Sequence, residues 1–297
     1  MKRLDVHFLI GSVSITNVEN YIKDNEFLFS RKNPVALIKY NLIEFSDCLT
    51  LVKNMKLSGE FELNKTVEIN GDSFSIEGEG ELVIKSKVAN AFRVTNGGSL
   101  ELKNVKLSYL GDKVDSEDPF IFVEGSKLIA DGSELKGSIS DCIKAIRSEI
   151  KLGNSSIIGI GGSGVYLISS RGIIQKSKVT GNTGNGINIQ DQSHLEVSQC
   201  EIRGNGTEGE GYPQIWVKKS ELSLIDSIVA DSVGVCGIVL ISYSIGVISN
   251  CKLDEIYVAD NSVKCLIQNS IVMSKAYIGS SNVKVVDSYI EGGIKRI

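Results

Sequence analysis

The sequence predicts an all-β solenoid, a stack of short strands wound coil upon coil, and three observations carry that reading. One pattern recurs nine times between residues 100 and 290: apolar-x-apolar, two turn residues, a Ser or Cys, one further residue and an apolar one, as in Leu195-x-Val197-x-x-Cys200-x-Ile202. The Ser/Cys position is filled by Val105, Ser133, Ser155, Ser177, Cys200, Ser227, Cys251, Ser270 and Ser288, at intervals of 28, 22, 22, 23, 27, 24, 19 and 18 residues. A period near twenty marks units that stack in one dimension. The second observation is the company this column keeps. Two positions after it stand Leu107, Leu135, Ile157, Val179, Ile202, Val229, Leu253, Val272 and Ile290, and three before it Leu102, Ala130, Leu152, Ile174, Val197, Leu224, Ile248, Ile267 and Val285. All are apolar, in a chain that is 42% hydrophobic, so both columns face a core. The third is the period itself: short apolar-x-apolar runs alternate at two, whereas helices would need longer runs at 3.6.

Each coil therefore reads as three short strands with tight corners. The residue before the Ser/Cys column is Asn104, Gly132, Asn154, Lys176, Gln199, Asp226, Asn250, Asn269 or Asp287. Gly, Asn and Asp, which fill seven of these positions, tolerate the left-handed backbone a tight corner requires. A second corner, seven residues before the column, carries Ser126, Ser148, Ser170, Ser193, Ser220, Ser244 and Ser281. With its short Asn-rich corner and one variable loop per coil, the chain resembles the right-handed parallel β-helix superfamily, the pectate-lyase-like fold, over roughly residues 41–297. The resemblance implies a right-handed single-stranded parallel β-helix of about ten coils, on the order of 48 Å long at ~4.8 Å per coil.

Taken in order, residues 1–40 lack the coil pattern and receive no fold. In 41–56, Phe45, Cys48, Leu49 and Val52 fall at helical spacing behind Ser46 and Asp47, both good N-caps, which predicts an amphipathic helix closing the first coil. The parallel β-helix then runs over 57–297. Its first coil is placed at Val67/Ile69, Phe74/Ile76 and Leu82/Ile84, with the glycines of GEGE (78–81) at a corner. Two long loops, 108–119 and 203–213, fall where this superfamily walls a groove. After Ile290 only EGGIKRI remains, so the last coil is expected to be bare and to need a protein partner or self-association.

Bulk properties exclude several classes. Net charge is −4 and the lysines and arginines are dispersed, which leaves no nucleic-acid footprint. Asp5 and His7 interrupt the apolar start, so no secretory signal is expected, and no run is long enough to cross a membrane. The six cysteines (48, 142, 200, 236, 251, 265) lack paired spacing, and two belong to an interior column. Free thiols in a reducing, cytoplasmic compartment follow, with no metal and no cofactor expected.

The outward positions of the first strands carry the functional reading. One column is expected to run Arg93, Ile121, Lys144, Tyr166, Asn188, Trp216, Val239, Tyr257, Tyr277, and its neighbour Thr95, Val123, Ile146, Ile168, Gln190, Lys218, Ile241. Tyr166, Trp216 and Tyr257 would form a platform for sugar rings or for a protein. Arg147 and Arg171, near one corner of adjacent coils, suit a carboxylated ligand. The family's enzymes set a contrast. Its lyases would require acidic calcium ligands beside a basic residue, its polygalacturonases a paired-Asp motif, and neither pattern is present. Asp118-Pro119-Phe120-Ile121-Phe122 only echoes the pectin methylesterase stretch. His194 reads as a solvent-facing corner residue, and GIGGSG (159–164) and GNTGNG (181–186) as corner glycines without the helix a phosphate cradle needs. The leading expectation is a non-catalytic scaffold presenting this face, through Lys144, Tyr166, Asn188, Trp216, Lys218, Tyr257, Arg147 and Arg171, to a protein or glycan, possibly within a larger assembly. The alternative is a lyase or glycoside hydrolase acting on polysaccharide in the same groove.

Overall fold

A computed structural model describes residues 7–10, 13–15, 36–39, 42–45 and 54–297, save 64, 112–115, 160, 208–210 and 234–235. From Asn54 onward the chain is a right-handed parallel β-solenoid of about nine regular turns. Its first strands stack into one sheet of eleven, from Val67–Asn70 through Phe92–Thr95 and Ile187–Gln190 to Ile294–Arg296. Neighbouring first strands are parallel and one coil apart in sequence, as Ile187 opposite Ile215 shows. The second and third strands form the remaining faces, again in parallel register: Leu195 lies opposite Leu222, and Ile202 opposite Val229.

The core lies along the axis, where every second residue of each strand points inward. Of the eighteen apolar residues flanking the Ser/Cys column, all are buried except Val285 and Ile290, which belong to the last full coil and are only partly covered. Phe61, Phe92 and Phe120 are the largest fully buried side chains and fill the N-terminal coils. Tyr109 packs edge-on to Phe120 at 6.3 Å.

Corner chemistry explains why coils of unequal length still stack. All nine residues preceding the Ser/Cys column are left-handed, with φ from 44° at Asp287 to 61° at Gly132, and this includes Lys176 and Gln199. The corner geometry therefore overrides residue preference where the coils on either side fix it. The hydroxyls behind both corners form ladders parallel to the axis. The Ser148 N–H donates to Ser170 Oγ at 3.0 Å, and the Ser155 N–H to Ser177 Oγ at 3.1 Å, while each hydroxyl donates to a carbonyl of its own corner or the coil before. Cys200 and Cys251 accept the same place, each thiol 3.1 Å from the carbonyl two residues back. In the second-corner column the buried serine of the last coil is Ser280, its hydroxyl on the Val263 carbonyl, while Ser281 is exposed. At the third corner a buried amide chain replaces serine: Asn182 Nδ2 donates to Asn205 Oδ1 (2.7 Å), and Asn205 Nδ2 to Gln214 Oε1 (2.6 Å). Such groups are tolerated in a core only when paired.

The N-terminal boundary departs from expectation. Leu42–Phe45 and Asn54–Leu63 are strands, so both ends of the expected 41–56 helix are extended, and no helix occurs among the described residues. The middle of that segment, with Cys48, Leu49 and Val52, lies outside the described residues. Strand is favoured because Asn54–Leu63 needs backbone partners on its open side. It receives them from His7–Phe8, antiparallel to Met55–Lys56, and from Leu42–Ile43, parallel to Glu62–Leu63. Within the expected unassigned segment 1–40, His7–Ile10 and Val13–Ile15 form a hairpin, and Ala36–Lys39 pairs antiparallel with Leu42–Phe45. Residues 294–296 add one more first strand rather than folding over the end.

Candidate functional site

The outer face of the first-strand sheet gathers most of the expected residues. Register places Arg93, Phe122, Lys144, Tyr166, Asn188, Trp216, Val239, Tyr257, Tyr277 and Lys295 in one unbroken column. The sequence assignment holds in it except at one coil. Ile121 and Val123 are fully buried, and Phe122 and Glu124 point out instead. In Ile121-Phe122-Val123 every residue is apolar, so alternation could not choose between faces. The Arg93 guanidinium stacking 5.0 Å above Phe122 marks the true outward member.

Backbone pleat and coil spacing fix this column's geometry. Successive side chains stand ~4.8 Å apart along the axis, close enough for each to touch the next. Lys144 Nζ lies 5.4 Å above the Tyr166 ring, Tyr257 and Tyr277 are tilted neighbours at 6.1 Å, and Lys295 Nζ caps Tyr277 at 5.6 Å. Lys144, Tyr166, Asn188, Trp216 and Tyr257 are all half-buried. Val239, between Trp216 and Tyr257 in the column, is only 5% exposed although it points outward, so the aromatics on either side shelter it. Lys218 stands one column over, beside Ile168, Gln190 and Ile241 in the stack, and makes no ion pair among the described residues. Asn188 Oδ1 accepts from Gln190 Nε2 at 3.0 Å, which ties the two columns together.

Two carboxylates border this face, and the first of them, Asp141, was missed from sequence. Asp141 closes the corner before Cys142 and Ile143, where Gly162 packs so closely that a Cβ there would lie 2.9 Å from its Oδ1. Burial pushes its pKa up, against the Ser163 N–H (2.8 Å) and the nearby Lys144 ammonium, which pull it down. At the other end of the strands stands Asp191. The Tyr166 phenol is pushed up by burial first and then by the charges of Asp141 and Asp191. The face therefore has a carboxyl group inclined to hold its proton at one edge and a second acid at the other. Asp141 left no signal in the sequence because it sits in a corner, outside the alternating positions that reveal sidedness. No group of three or more His, Cys, Asp or Glu able to hold a metal ion occurs among the described residues.

Arg147 and Arg171 are brought together, but around the corner from this face. Both line an open cleft of about 680 Å³ along the second corner, with Lys127, Glu149, Gln192 and His194. His194 faces carboxylates, Nδ1 at 3.0 Å from Glu221 and Nε2 at 3.4 Å from Glu196. The five described cysteines are free and buried, and Cys48 lies outside the described residues.

The architecture defines a parallel β-helix protein whose first sheet carries a continuous column of half-buried aromatic and polar side chains on its outer face. The chain belongs to the right-handed beta helix region family, whose profile matches residues 142–295. No curated protein matches it. Among solved structures it is similar to the catalytic domain of a GH87 α-1,3-glucanase in complex with nigerose, at 12% identity and a TM-score of 0.51, covering 82% of this chain and 61% of that one. A variant of that domain with nigerose gives the same score and coverage at 11% identity. The chain thus spans about 61% of the length of those domains, and the likeness is one of fold.

Proposed function

We propose that this chain engages a polysaccharide strand along the outer face of its first sheet, centred on Lys144, Tyr166, Asn188 and Trp216, and that Asp141 is the acid of the site. The observation that carries the proposal is the continuous column itself. A ligand built of repeating rings suits a surface that repeats at every coil, and half-exposed aromatic faces interleaved with Lys and Asn supply both the stacking surface and the hydrogen bonds that sugar rings use. The fold shared with a domain seen in complex with nigerose supports a sugar over a protein as occupant. Against a protein partner stands the shape of the apolar area: Val239 is already sheltered, and Ile146, Ile168 and Ile241 are half-buried rather than proud.

Asp141 gives the reading its chemistry. Cleavage of a glycosidic bond needs one carboxylic acid to protonate the leaving oxygen and a second carboxylate to activate water or attack the ring carbon. Asp141, with its raised pKa, is suited to the first role; Asp191, at the opposite end of the strands and two coils on, is too far from it to serve the same bond and borders the other edge of the ligand. Trp216 is the only tryptophan, so its emission reports the face directly. Titration with soluble α-glucan and β-glucan oligosaccharides and with oligogalacturonate should change that emission saturably for one of them. Trp216→Ala combined with Tyr166→Ala should abolish retention on the same polysaccharide with little loss of melting temperature. Retention equal to wild type in that double variant would refute the site.

A further inference from the structure

The cleft along the second corner brings several cations to one place. Some outward cations of the coils are matched to a carboxylate one coil away, as in Lys87 with Glu62 (2.9 Å), Lys106 with Glu81 (2.8 Å) and Lys178 with Glu201 (3.0 Å), and others, Lys218 among them, are not. Arg171 belongs to the second group. Its register neighbours are Glu149 and His194. Glu149 lies 3.6 Å from Lys127 and 3.5 Å from Lys151, and His194 turns to Glu221 and Glu196. Arg171 is exposed and makes no ion pair among the described residues. Arg147, on the same cleft, is paired through one nitrogen with Glu124 at 2.5 Å.

The backbone hollows the space in front of these groups. Gly97, Gly98 and Gly125 form part of the wall, and a Cβ added at Gly125, whose φ is 56°, would meet nothing within 4 Å. The C-terminal end of the cleft is raised by an inserted residue. The corner from Gln190 to Ser193 is one residue longer than that from Ile168 to Ser170, with both Asp191 (φ 51°) and Gln192 (φ 66°) left-handed, and Gln192 reaches the rim. Lys127, Arg147 and Arg171 therefore line the cleft with one carboxylate, Glu149, which Lys127 shares with Lys151; Arg147 is held by Glu124, and Arg171 alone of the three cations is unpaired among the described residues.

We propose that this corner cleft binds an oxyanion, a carboxylate, sulfate or phosphate group, with Arg171 as its principal ligand and Lys127 and Arg147 beside it. A guanidinium with its planar fork unspent receives such a group through two parallel charge-assisted hydrogen bonds. The source is either an acidic substituent on a glycan or a free oxyanion, and the two are separable. The site does not depend on the polysaccharide reading of the first-sheet face, since Trp216 reports that face and Arg171 reports this one.

The test is amide NMR of the full chain titrated with trigalacturonate, inorganic phosphate and neutral maltotriose, following Gly98, Gly125 and Arg171, with Trp216 emission recorded alongside. At least one anionic probe should shift these resonances saturably and maltotriose should not. Arg171→Ala should weaken that binding about tenfold or more, with Arg171→Lys between, while an exposed, unpaired side chain leaves the melting temperature unchanged. Tighter binding of trigalacturonate than of phosphate would assign a sugar-borne anion, and equal binding a free one. Unaltered binding in Arg171→Ala, or no saturable shift with either anion, would overturn the proposal whatever Trp216 shows.

Discussion

Replacing Ser170 by Ala should cost the fold about 2 kcal/mol, although it removes a single oxygen atom. Ser170 is 5% exposed and stands mid-ladder. Its Oγ accepts the Ser148 N–H at 3.0 Å and offers one proton to the carbonyls of Ile168 (2.8 Å) and Ala145 (3.0 Å). The Ile168 carbonyl keeps a second donor, the Arg147 N–H at 3.0 Å, so losing the hydroxyl leaves it satisfied. The Ser148 N–H has no such reserve. It becomes a buried donor without a partner, and that state costs about 1–3 kcal/mol. Ser170→Cys should recover only part of the loss, since a thiol fills the same space but accepts hydrogen bonds poorly. Ser223, half-exposed on the outer side of the second sheet, provides the control, and its replacement by Ala should stay within about 0.5 kcal/mol. Urea unfolding followed by circular dichroism measures all three. If Ser170→Ala matches the Ser223 control, the ladder is an accident of packing and the argument that corners fix the coils fails.

Ile189 is fully buried between Leu167 and Val217 of the adjacent coils, so Ile189→Asp should leave the protein insoluble or unfolded, and a soluble variant with an unchanged melting temperature would contradict the register. Asp141→Asn keeps an acceptor for the Ser163 N–H but removes a half-buried charge; it should raise the melting temperature at pH 7 and abolish any glycosidic turnover, and a variant that is both active and less stable would remove Asp141 from the site. Burial raises the thiols of Cys236 and Cys265 to about 12 and of Cys251 to about 11, so they stay neutral in the fold while unfolded thiols ionise from about pH 9. Stability is therefore fully present below that point and should decline as pH rises from about 9 toward 11–12, with folded protein reacting slowly with thiol reagents; a midpoint that is flat over this window would show the thiols to be accessible.

The repeat, the inward columns and both serine corners were legible in the chain, because each coil must bury the same alternate positions and turn at the same places, and nine repetitions make even a short pattern readable. Lys176 and Gln199 show the limit of local preference: neither favours a left-handed backbone, yet both adopt it, since the coils above and below dictate the corner. The same redundancy gave the outward column from Lys144 to Tyr277, and it failed only at Ile121-Phe122-Val123, where consecutive apolar residues hide which side is out. What alternation could not reach is what lies at corners and edges. Asp141 acquires its raised pKa from burial, with Gly162 of the next coil packed against it and the Ser163 N–H pulling the other way, and Arg171 is left unpaired at its cleft because Glu149 is spent on lysines of its own and a neighbouring coil. At the N-terminal boundary, helical spacing in 41–56 competed with an open strand edge, and at Leu42–Phe45 and from Asn54 the need of that edge for hydrogen-bond partners prevailed. Local pattern determines which residues face inward within a coil; contacts between coils, some twenty residues apart in sequence, decide charge, acidity and the shape of the surface.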